Sequence, residues 1–88
     1  MIRAQDALHT VALILSASAS RPLSSSEHHE LEGLCSIIAE GIPTRPISSY
    51  ALRKFAEKVR NSGLTTNGQA DDLKSLLEDA ESLKFLTV

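Results

Sequence analysis

The residues of this chain best suited to chemistry gather in two places. In the first, His28 and His29 stand among Glu27, Glu30 and Glu32, side-chain types that bind zinc and other divalent metals. A metal site needs three or four donors converging on one point. On a helix only His28 and Glu32 fall one turn apart on a common face, and His29 points elsewhere. The rest of the sequence offers only His9 and scattered carboxylates. The histidines are therefore read as surface residues near a helix start, and no metal or other cofactor is expected.

Cys35 is the single cysteine. A nucleophilic thiol needs exposure, positive neighbours and a histidine base. Cys35 lies instead within an apolar stripe of Leu31, Leu34 and Ile38, with His28 two turns earlier at the edge of the same face. That is too far along the axis for an easy hydrogen bond, so a core role follows. Serines are abundant, but no strand–nucleophile–helix turn surrounds any of them, and no glycine-rich phosphate loop is present. Catalysis finds no support.

The second place is a basic segment. Arg53, Lys54, Lys58 and Arg60 share the polar face of one helix with Tyr50 and Glu57, and Arg45 precedes them. Five of the nine Lys and Arg residues thus lie between positions 45 and 60. A basic helix with one exposed aromatic suits phosphates or an acidic protein surface. The alternative is pairing within the chain, since the preceding helix carries Glu27, Glu30, Glu32 and Glu40 and the last carries Asp71, Asp72, Glu78, Asp79 and Glu81. A helix-turn-helix reader is rejected, because its recognition helix would open on Gln69-Ala70-Asp71-Asp72 and carboxylates there repel phosphate.

Four amphipathic segments must position these residues. The pattern predicts helices over 3–19, 25–40, 49–62 and 67–84. In the first, Ala4, Ala7, Leu8, Val11, Ala12, Ile14, Leu15 and Ala19 share one broad face, while Ile2 and Leu13 fall on the opposite side among Asp6, His9 and Ser16. A helix apolar nearly all round is central to a core or buried in a dimer. Ser24 with Glu27 forms a capping-box pair for the second helix, Ser48 caps the third with Ile47 and Leu52 stapled across it, and Thr66 with Gln69 caps the fourth. Two glycines mark helix ends, Gly41 before Ile42-Pro43 and Gly63 before Leu64. The fourth helix buries Ala70, Leu73, Leu76, Leu77, Ala80 and Leu83, and the tail Phe85-Leu86-Thr87-Val88 leaves that stripe.

Bulk properties bound the rest. At 88 residues the chain is one helical domain. Only 3% of it is aromatic, so the core is aliphatic. A net charge of −2 argues against a general affinity for nucleic acid or membrane surfaces. The stretch Val11–Leu15 is too short for the apolar region of a secretion signal, and no membrane span is long enough. One cysteine excludes an internal disulfide and fits the cytoplasm.

The reading that results is an all-α protein, a small four-helix bundle or paired antiparallel helical hairpins. Its expected function is that of a non-catalytic module binding another protein through Tyr50, Arg53, Lys54, Lys58 and Arg60 and associating with itself through Ile2 and Leu13. The alternative is an accessory factor that binds nucleic acid through the basic face of the third helix.

Overall fold

The computed structural model describes residues 4–40, 49–66 and 72–86. Four α-helices run in order, α1 (Ala4–Ser18), α2 (Ser25–Glu40), α3 (Ser49–Asn61) and α4 (Leu73–Leu86), with a 3-10 turn over Leu64–Thr66. The chain is an all-α bundle, as its periodicity predicts.

The apolar stripe of α1 is buried from Ala4 to Leu15, while Leu13 stands outside it. Ala19, expected on that stripe, lies beyond the helix end and is exposed. The helix stops because its serines turn on their own backbone. Ser18 Oγ donates to the Leu15 carbonyl at 2.7 Å, and Ser20 Oγ donates to that of Ala17 at 3.2 Å.

At the start of α2 the capping box forms. Glu27 N–H donates to Ser24 Oγ at 3.2 Å, and Ser24 N–H donates to Glu27 Oε1 at 2.9 Å. Arg21 adds a two-pronged grip on the same carboxylate, at 2.8 and 2.7 Å. The α1–α2 joint is therefore tied on both sides of Pro22.

Helix α3 ends as predicted at Gly63, whose φ of 93° is open to glycine at little cost. Leu64 folds back into the core. The serine before the glycine supplies part of the closure: Ser62 Oγ donates to the Val59 carbonyl at 2.6 Å and accepts from Leu64 N–H at 3.4 Å.

The fourth helix differs from expectation. It begins at Leu73 rather than 67, and its cap is Asp72, whose Oδ1 accepts from Ser75 N–H at 3.2 Å. Thr66 instead closes the 3-10 turn, its hydroxyl donating to the Gly63 carbonyl at 3.1 Å. Gln69, the Gly41–Ile42 stop, the Ser48 cap with Ile47, and the tail side chains from 85 onward lie outside the described residues.

The helices form a ring. Helix α1 packs on α2 and α4, α3 packs on α2 and α4, and among the described residues the backbones of α1 and α3 do not approach one another, nor do those of α2 and α4. Each consecutive pair is thus adjacent, the order that short joints impose on antiparallel neighbours. The seam between α3 and α4 is the least closely packed of the four. Leu8, Leu15, Leu31, Ile38, Leu52 and Leu76 fill the centre.

Candidate functional site

The face of α3 opposite Leu52, Phe55, Ala56 and Val59 carries the basic residues, and the tertiary structure divides them. Lys58 and Arg60 lie on the flanks and pair inward. Lys58 Nζ meets Asp79 Oδ2 at 2.7 Å and also the hydroxyl of Ser75, tying α3 to α4. Arg60 Nε donates to Glu32 Oε1 at 3.1 Å and Arg60 Nη2 donates to Ser36 Oγ at 2.9 Å, tying α3 to α2. The charge pairing between helices therefore accounts for these two.

Tyr50, Arg53 and Lys54 remain on the outside. Tyr50 is 65% exposed, and Lys54 Nζ stands 5.8 Å from the centre of its ring, within reach of a cation–π contact. Among the described residues neither Arg53 nor Lys54 meets a carboxylate in the manner of Arg21, Lys58 and Arg60. Glu57 is exposed on the next turn. Arg45 falls outside the described residues.

Beside this face the loose α3–α4 seam forms a groove of about 750 Å³. Its floor is Phe55, Leu76 and Leu83, and its rims carry Lys54, Lys58 and Asp79. All three floor residues are themselves buried, so a ligand laid there removes little apolar surface from water. The groove shares Lys54 and Glu57 with the outer face of α3.

On the other side of the ring, Leu13 is 71% exposed on α1. Its neighbours one turn away, His9 and Ser16, are also exposed. Ile2 lies outside the described residues.

The histidine pair behaves differently from its sequence reading. His29 is exposed, but His28 is only 8% exposed. Its Nδ1 bonds to the carbonyl oxygen of Leu64 in the 3-10 turn. The signal was present in the spacing, because His28 precedes Leu31 by three and Cys35 by seven and so belongs to the buried stripe. What the spacing could not supply was the acceptor, which arrives from the far end of α3. Cys35 is fully buried, and that burial pushes its thiol up to about 11 against the opposing pull of Arg60. Among the described residues no group of three or more His, Cys, Asp or Glu side chains is placed to hold a metal ion, and no helix is long and apolar enough to cross a membrane. Every buried side-chain nitrogen and oxygen among them has a hydrogen-bond partner.

No protein-family model, curated protein or solved structure matches this chain.

Proposed function

We propose that this chain is a non-catalytic helical interaction module that associates with itself through α1 and engages another protein through α3, in the cytoplasm. One observation carries the reading: Leu13 and Tyr50 are the large hydrophobic side chains left exposed among the described residues, and they sit on α1 and α3, helices on opposite corners of the ring. Two separate surfaces result, so a copy of the chain on one does not obstruct a partner on the other.

The absence of a catalytic role is supported by what the interior groups do. His28 serves the Leu64 carbonyl, Ser62 serves the α3 end, and Cys35 is held as the thiol. A free, buried cysteine fits a reducing compartment. A protein partner is favoured over nucleic acid because two of the five basic-face residues are held by the chain's own carboxylates. Two cations on one turn make a short footprint for a phosphate backbone.

Light scattering on the wild type and on Leu13→Glu tests the first surface. A wild-type dimer that becomes a monomer on substitution supports it, and a wild-type monomer at micromolar concentration refutes it. Nuclease-treated affinity capture from the host tests the second. One stoichiometric protein, lost with Tyr50→Ala, supports the reading, whereas capture that depends on nucleic acid overturns it.

A further inference from the structure

We propose that the outer ridge of α3 binds an acidic helical segment of another protein whose facing charges run negative, negative, positive over two turns. The inference rests on the reading of α3 as the partner surface and names the chemistry of that partner. Tyr50, Arg53, Lys54 and Glu57 recur at i, i+3, i+4 and i+7, and all four are exposed. They form a single ridge, about 10 Å long at the rise of an α-helix, directed away from the buried Leu52, Phe55 and Val59.

The charge of the ridge is set by what the bundle leaves unpaired. The flanking cations Lys58 and Arg60 have carboxylate partners within the chain. On the ridge, Lys54 leans over the Tyr50 ring, and among the described residues neither it nor the exposed Arg53 takes a carboxylate and the exposed Glu57 takes no cation. The ridge thus presents an aromatic ring followed by two positive charges and one negative. Exposed Tyr and Arg supply much of the energy of protein interfaces, and the fixed order of signs selects a partner by complementarity and by repulsion of wrong matches. Two carboxylates settle over Arg53 and Lys54, and a Lys or Arg one turn on meets Glu57. A phosphate chain fits the first turn and is repelled by the second.

The probes are two synthetic helical peptides and a labelled single-stranded DNA. One peptide carries a Glu pair and, one turn away, Lys; the other is identical with Glu in place of that Lys. Fluorescence anisotropy is read with the full chain as wild type, as Glu57→Lys and as Arg53→Glu/Lys54→Glu, each checked for helix content by circular dichroism. The wild type should bind the mixed-sign peptide about fivefold more tightly than the all-acidic one, the upper range of a single exposed ion pair. Glu57→Lys should reverse that preference, and the double reversal should abolish both affinities. No peptide binding by the wild type, a preference unchanged by Glu57→Lys, or DNA bound more tightly than either peptide overturns the proposal. If peptide preference fails while Tyr50-dependent capture of a host protein persists, the charge order is wrong and the α3 surface stands. Loss of both removes both.

Discussion

His28 and Leu64, thirty-six residues apart in sequence, meet inside the bundle, where the imidazole Nδ1 bonds to the Leu64 carbonyl. That bond joins the first turn of α2 to the 3-10 turn that follows α3, and as the donor Nδ1 carries the proton. His28→Ala leaves a buried carbonyl unpaired, so it should cost about 1–3 kcal/mol in urea unfolding. His28→Gln retains a donor and should recover part of the loss. Equal stability of His28→Ala and wild type would show that water replaces the imidazole there.

The Lys58–Asp79 pair bridges the loosest seam, yet its side chains are 40% and 45% exposed. An ion pair in contact with solvent contributes about 0.2–1 kcal/mol. A double-mutant cycle with Lys58→Ala and Asp79→Ala should therefore give a coupling below about 1 kcal/mol that shrinks on raising salt from about 0.1 M to 1 M. A larger, salt-independent coupling would make this bridge a principal tie between α3 and α4.

Glu27 is held down to about 2 from an ordinary 4.5, first by the Arg21 guanidinium and then by the Ser24 amide. A carboxylate depressed in the folded state binds fewer protons there than in the unfolded chain, so stability rises with pH across that interval. The contribution of Glu27 is fully present above pH 4.5 and is lost as pH falls toward 2. The melting-temperature gap between wild type and Glu27→Gln should close over that window. A gap of constant size throughout would contradict the assignment.

Burial that raises the Cys35 thiol to about 11 also removes it from reagents. A thiol-specific chromogenic reagent should label the protein only after denaturant is added. Cys35→Ser places a hydroxyl in an aliphatic site and should cost about 1–3 kcal/mol. Rapid labelling of the native protein would place the thiol at the surface.

Two glycines should respond to alanine with opposite signs. Gly33 lies mid-helix in α2, and a Cβ added there meets nothing within 4 Å, so Gly33→Ala should stabilise by up to about 1 kcal/mol through helix propensity. Gly63 has a φ of 93°, so Gly63→Ala should destabilise by roughly 1–2 kcal/mol. Thermal melts of the two variants moving in the same direction would refute this account of the α3 end.

Local patterns in the sequence were enough to establish the helical class, the limits of α2, the Ser24–Glu27 cap, the positive φ at Gly63 and the outward direction of Leu13 and Tyr50. Each depends on residues within about one or two turns of one another, and helical geometry converts that spacing directly into a face or a cap. Tertiary structure decided the rest. It brought the Leu64 carbonyl to His28, aligned Asp79 and Glu32 with Lys58 and Arg60, wound Leu64–Thr66 into a 3-10 turn and set the cap of the fourth helix at Asp72. Those partners lie 21 to 36 residues apart where they cross between helices. Spacing along one helix fixes the direction of a side chain, but its partner depends on which helix stands beside it, and that follows only from the order of the ring. The cations left on α3 are the remainder of that pairing, and the candidate surface comes into view only once the paired residues are known.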